Sequence, residues 1–253
     1  MIEFKKVSKS YDGVTYVIDR LDLTVSEGEF LVLLGESGCG KTTTLKMINR
    51  LIERTKGELL VGGQDVQTLD VICLRRSIGY VFQKVGLFPH MTIDENIGVV
   101  PNLLGWEHRK ILARCDELMK LVGLDPKEFS KRYPQELSGG QQQRVGFARA
   151  LAAGPKIILL DEPFGALDPI TRFSLQKELR SIHRKLGLTT VMVTHDVTEA
   201  LLMADKIAIM ADGNILQMAT PKELVQHPIN SYIDSLLQTP KIQADEVEEI
   251  YEG

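Results

Sequence analysis

One stretch constrains the fold more than any other. Five apolar residues, Phe30-Leu31-Val32-Leu33-Leu34, run directly into Gly35-Glu36-Ser37-Gly38-Cys39-Gly40-Lys41-Thr42. A continuous apolar run of this length is a strand covered on both faces. The glycines that follow let the backbone curl so that several N–H groups face one point, and a helix expected over residues 41–51 adds partial positive charge there. Lys41 is placed to reach the β- and γ-phosphate oxygens of a nucleotide, and the Thr42 hydroxyl to ligate Mg²⁺. With ordinary residue usage the bare spacing arises by chance in roughly one chain in a hundred. The strand–loop–helix context lowers that chance further, and the alternation of strands and helices along the chain points to α/β architecture.

The rest of the chain is compatible with that frame. Apolar strand runs are expected at residues 78–82, 156–161 and 189–194, and helices over 169–186 and 197–204. Two hairpins are expected, at Val61-Gly62-Gly63-Gln64 and around Asp212-Gly213-Asn214. From about 91 to 153 the spacing turns helical, with helices over 93–99, 107–122 and 139–151 broken by Pro101, Pro126 and Pro134. This reads as a helical insert in an α/β core. No run approaches the roughly 18 apolar residues of a membrane-spanning helix, and the first residues have no signal-peptide core. The 253 residues suit one large domain. Residues 241–253 hold one lysine against five acids, which accounts for the whole formal charge of −4. That segment is expected to be a solvated, frayed acidic tail, and the near-neutral body argues against a nucleic-acid partner. Three cysteines, Cys39, Cys73 and Cys115, form no CxxC pair, so neither a disulfide framework nor a zinc site is expected.

Two more segments carry chemistry. Ile157-Ile158-Leu159-Leu160 ends in Asp161-Glu162, which delivers two carboxylates to the strand edge where ligands of α/β sheets gather. Asp161 is suited to hold Mg²⁺ through its waters, and Glu162 to polarise the attacking water as a general base. Leu137-Ser138-Gly139-Gly140-Gln141 reads as an N-capped helix start. It is a second anion-binding terminus, separate from the first.

With this pentapeptide the chain resembles the ATP-binding cassette transporter ATPases over nearly its whole length. The resemblance implies a P-loop core over about 1–90 and 154–240, with an N-terminal antiparallel β subdomain and a helical subdomain over about 91–153. It implies ATP and Mg²⁺ as ligands. Tyr11 would stack on adenine. Gly35 to Thr42, with Thr43, would hold the phosphates. Gln83 would sense the metal and the water, Ser138, Gly139, Gly140 and Gln141 would bind the nucleotide of a second copy, Asp168 would reach across the interface, and His195 would contact the γ-phosphate. The resemblance makes Lys41, Gln83, Glu162 and His195 the expected catalytic set, and Thr42, Gln83 and Asp161 the expected metal set. Two copies would meet head-to-tail and drive transmembrane permease subunits on the cytoplasmic face of the membrane. A solute-binding protein would act indirectly.

The stretches between motifs, among them Gly86-Leu87-Phe88-Pro89-His90 and Phe164-Gly165-Ala166-Leu167-Asp168, resemble the osmoprotectant importers for glycine betaine, carnitine and choline. An exposed Leu87-Phe88 pair would then anchor the permease. Many of those ATPases continue into paired CBS domains, and this chain ends about where they would begin. A cassette for another transporter (amino acid, phosphonate or lipid), a soluble ATPase of DNA repair or translation, and a non-hydrolytic cassette remain as alternatives.

Overall fold

A computed structural model describes residues 1–252; Gly253 of the acidic segment lies outside the described residues. In chain order the elements are β1 (Ile2–Ser10), β2 (Tyr16–Val25), β3 (Phe30–Gly35), α1 (Lys41–Ile48), β4 (Lys56–Val61), β5 (Gln64–Asp65), α2 (Val71–Ser77) and β6 (Ile78–Val81). Then come α3 (Ile93–Leu103), α4 (His108–Leu121), α5 (Pro126–Phe129), a 3₁₀ turn (Pro134–Glu136), α6 (Gly139–Leu151) and β7 (Ile157–Asp161). The chain continues through α7 (Pro169–Leu186), β8 (Thr189–Thr194), α8 (Val197–Met203), β9 (Lys206–Ala211), β10 (Asn214–Ala219), α9 (Pro221–Gln226) and α10 (Ser231–Glu252). Among these described residues no helix is long and apolar enough to cross a membrane.

Two sheets form. Strands β2-β1-β4-β5 make an antiparallel sheet, and β10-β9-β3-β8-β7-β6 make a six-stranded sheet, parallel except for β10 at its edge. The central strands are apolar throughout because side chains alternate between two covered faces. Phe30, Val32 and Leu34 of β3 join one buried cluster with Ile158, Leu160 and Met192. Leu31 and Leu33 join the other, with Leu159, Val191, Val193 and the antiparallel sheet. Each such side chain contributes roughly 1.5–3 kcal/mol on burial. The first cluster runs on into α3, α4 and α6 through Ile97, Leu118 and Val145.

Register then places the loops. Leu34 pairs with Thr194, Asp161 with Val193, and Val81 with Leu160. The chain therefore leaves β3, β6, β7 and β8 at one carboxyl edge, which gathers the 35–43 loop, Gln83, Glu162 and His195.

Three expectations need correction. The helix expected over 41–51 ends at Ile48, because Arg50 adopts a left-handed backbone (φ 54) while its guanidinium donates to the Val66 and Leu69 carbonyls. Pro101 lies inside α3 and does not break it. It sits in the last turn, where little remains of the N–H ladder it interrupts, and Leu104 N–H still closes on Val100 O. The acidic segment is not frayed: residues 241–252 continue α10, with Pro240 inside that helix.

Candidate functional site

The 35–43 loop ends at Gly40, which caps α1 in a left-handed conformation (φ 103). That backbone strains any residue with a side chain, and a Cβ there would also press on Ile18 Cδ1 at 2.4 Å, which favours glycine. The N-termini of α2, α6, α7, α8 and α9 each have a side chain that accepts from their first turn. That of α1 has no such cap and no acidic residue within its own first turn. Its N–H groups are thus left for an external acceptor, which fits a phosphate. Lys41 is buried. Its ammonium folds back to donate to the Gly35 and Glu36 carbonyls at 2.7 Å each, 3.9 Å from Cys39 Sγ.

Asp161 is held from three sides. Thr42 Oγ1 donates to Oδ1 at 3.0 Å, the Tyr80 hydroxyl to Oδ2 at 3.1 Å, and Lys46 Nζ lies 3.7 Å away. Burial, with the Asp161 charge adding to it, pushes the Tyr80 phenol far above its usual range. Thr42 and Asp161 sit together as a cation bridging to phosphate oxygens would require. Sequence reasoning missed Tyr80 and Lys46. Tyr80 sits in β6 beside Leu159, two positions short of Asp161, and a side chain reaching that distance across a parallel pair leaves no local pattern.

Glu162 adopts a left-handed backbone (φ 45), an arrangement that costs on the order of 1–3 kcal/mol. Gln83 Nε2 donates to its Oε2 at 2.9 Å, and His195 Nδ1 lies 3.5 Å from Oε1. The Gln83 amide therefore sits on Glu162, not on the Thr42–Asp161 pair. His195 is more than half exposed. A water beside Glu162 would meet a carboxylate base, an amide and an imidazole, which is the equipment for in-line attack on a phosphoryl group.

Tyr11 is exposed at the loop's mouth, with its hydroxyl 3.3 Å from Thr43 Oγ1 and Lys9 Nζ 4.8 Å above its ring. Glu36, Ser37, Gly38 and Cys39 also line a cavity of about 700 Å³ shared with Asp212 and Tyr232. The Tyr232 hydroxyl donates to Glu36 Oε1 at 3.4 Å.

The remaining candidates form a second group. Ser138 caps α6 in a reciprocal box: Ser138 N–H donates to Gln141 Oε1 at 2.9 Å and Gln141 N–H to Ser138 Oγ at 3.3 Å. Gly139 is open on its outer side, whereas a Cβ on Gly140 would stand 2.5 Å from Thr171 Cγ2. That contact sets the start of α6 against the start of α7. Asp168 caps α7, and the Thr171 N–H holds its carboxyl below the usual range. No hydrogen bond among the described residues joins Ser138–Gln141 or Asp168 to the 35–43 loop or to Glu162. The expected exposed pair is split: Leu87 packs on the core, while Phe88 is exposed beside His90.

Comparison with known proteins matches residues 18–165 to a family described as ABC transporter. The carnitine transport ATP-binding protein OpuCA of Listeria monocytogenes (serotype 1/2a, strain 10403S) is 54% identical over 237 residues, 94% of this chain and 59% of the relative. The glycine betaine/carnitine/choline transport ATP-binding protein OpuCA of Bacillus subtilis (strain 168) is 52% identical over 94% of this chain and 62% of the relative. The chain thus spans about three fifths of the length of these relatives. A dimeric ATP-binding cassette in a post-hydrolysis state, bound to ADP and Pi, superposes with a TM-score of 0.78 at 35% identity, covering 87% of this chain and 99% of that one.

Proposed function

The chain belongs to the ABC transporter family, and on that premise we propose that it is the ATP-hydrolysing subunit of an importer for a quaternary-amine osmoprotectant such as carnitine, glycine betaine or choline. The observation that carries the enzymatic part is the Glu162 carboxylate, held by Gln83 and facing His195 beside the Thr42–Asp161 pair. The solute class rests on the relatives named for carnitine, glycine betaine and choline.

In this reading residues 1–90 and 154–240 form the nucleotide-binding core and 91–153 the helical subdomain. The amides of Gly38 to Thr43 take the phosphates, Lys41 turns from its own carbonyls to the nucleotide, and Tyr11 stacks on the base. Mg²⁺ would be held by Thr42 and Asp161, with Gln83 turning to it from Glu162, and would neutralise phosphate charge. Glu162 takes the proton of the attacking water, and His195 faces the γ-phosphate. The separate Ser138–Gln141 terminus and Asp168 serve the nucleotide of a second copy, packed head-to-tail. Phe88 seats a transmembrane permease subunit, which holds the dimer at the cytoplasmic face of the membrane. A solute-binding protein acts through that permease, and no nucleic acid is involved.

The test is uptake of radiolabelled betaine, carnitine and choline in cells lacking this gene and any redundant carriers, alongside Mg²⁺-dependent ATP hydrolysis by the purified chain. Loss of at least one amine's uptake is expected. Undiminished uptake of all three removes the solute assignment.

A further inference from the structure

Glu199 is an acid for which the mechanism above has no use. It lies in α8, only 4% exposed, with burial pushing its carboxyl up. No salt bridge reaches it among the described residues. Its Oε2 accepts the Thr194 hydroxyl at 2.6 Å, and its Oε1 faces Gln176 Nε2 of α7 at 3.4 Å. The same Thr194 oxygen accepts the Asp196 N–H at 3.0 Å, and Asp196 Oδ1 accepts the Glu199 N–H at 3.0 Å. Thr194 and Asp196 flank His195, so the backbone on both sides of the imidazole is closed into one ring through Glu199. That ring is fastened to α7 twice. Gln176 makes one link, and Arg172 makes the other, lying 3.5 Å from Asp196 and donating to Leu167 O at 3.2 Å, next to Asp168.

We infer that Glu199 is a positioning residue that fixes the turn carrying His195 against Glu162 and ties that turn to the helix capped by Asp168. The ring needs an acceptor for the Thr194 hydroxyl and a polar partner for the Gln176 amide, and the Glu199 side chain supplies both. Burying it costs free energy, and an apolar residue would fill the site without that cost. What the acid adds is a unique placement of a half-exposed imidazole, and a connection by which displacement at Asp168 is felt at His195. The inference rests on the proposed role of His195.

The test uses the intact chain with Glu199→Ala, Thr194→Val and Glu199→Gln. Long-range ¹H–¹⁵N spectra of the nucleotide-free protein report each of its five histidine rings, with His195 assigned by His195→Ala. Glu199→Ala and Thr194→Val should shift or broaden the His195 signals and leave those of His90, His108 and His227 in place. Their kcat for ATP should fall roughly tenfold to a hundredfold with KM within about twofold, as for a misplaced catalytic group. Glu199→Gln should restore both readouts, because the Gln176 amide can turn over and accept where it had donated. Unchanged His195 signals and an unchanged kcat in both disruptive variants would overturn the inference. Thr194→Val decides the question if Glu199→Ala does not fold. Should His195→Ala hydrolyse ATP at the parent rate, the role of His195 fails, while the nucleotide-free spectra still decide whether Glu199 braces the turn.

Discussion

Gly139→Asp separates stability from function with opposite signs. Gly139 is the first residue of α6, exposed, with nothing within 4 Å of an added Cβ. A carboxylate there meets a helix N-terminus, worth roughly 0.3–1 kcal/mol, and replacing glycine adds up to about 1 kcal/mol through the unfolded chain. The isolated chain should therefore melt no lower than the parent, and roughly 1–4 °C higher. In the proposed dimer the same terminus faces the partner's nucleotide. Two unit charges about 4 Å apart at an effective dielectric of about 20 repel by about 4 kcal/mol, close to a thousandfold in affinity. The assay is sizing chromatography with ATP in a Glu162→Gln background, which slows hydrolysis and lets the ATP-bound dimer accumulate. Glu162→Gln alone should elute as a dimer and Glu162→Gln with Gly139→Asp as a monomer. An unimpaired ATP-driven dimer in the double variant would refute the placement of Gly139 at the shared site, and a melt several degrees below the parent would make it a structural glycine.

Arg54 grips Asp65 with two 2.7 Å bonds and holds its carboxyl below the usual range; stability from the pair is full above the ordinary carboxylate pKa and lost as pH falls through the lower folded value. Asp65→Asn should thus cost about 1.5–3 kcal/mol at pH 7 and progressively less below about pH 4, and a penalty equal at both pH values in urea melts contradicts the pairing. Maleimide modification of Cys39, in the 35–43 loop, should block hydrolysis and be slowed by ATP, whereas Cys39→Ser should stay active and resistant; inhibition that persists in Cys39→Ser points to Cys73 or Cys115. Phe88→Ala should abolish uptake while sparing the isolated ATPase, since only an exposed ring is lost, and retained uptake would remove Phe88 from the docking surface.

Much of this architecture was legible because it is local. The apolar run before Gly35, the cap at Ser138 and the proline opening α7 mark strand and helix limits within a few residues, and α6, α7 and β8 begin and end where their caps and apolar runs put them. What was hidden is non-local or conditional. Arg50 ends α1 because of carbonyls 16 and 19 residues away. The α10 helix passes through Pro240 despite its acidic composition. Tyr80, 81 residues from Asp161, joins the carboxylate cluster only because β6 lies beside β7. The return of Lys41 to its own loop carbonyls depends on which acceptors lie within reach, and the Glu199 ring needs α7 packed against α8.

The central claim is a hydrolytic site made by two copies, and complementation tests it most directly. Lys41→Ala removes the loop's ammonium, and Ser138→Arg places a bulky cation at the other terminus, so each protein alone should be inactive. Mixed in equal amounts with random pairing, they should recover at most about a quarter of the wild-type rate, since only mixed dimers contain one intact composite site. Recovery near that level in Mg²⁺-dependent ATP hydrolysis is the predicted result. No recovery, with both proteins folded and Ser138→Arg still binding nucleotide, would contradict it.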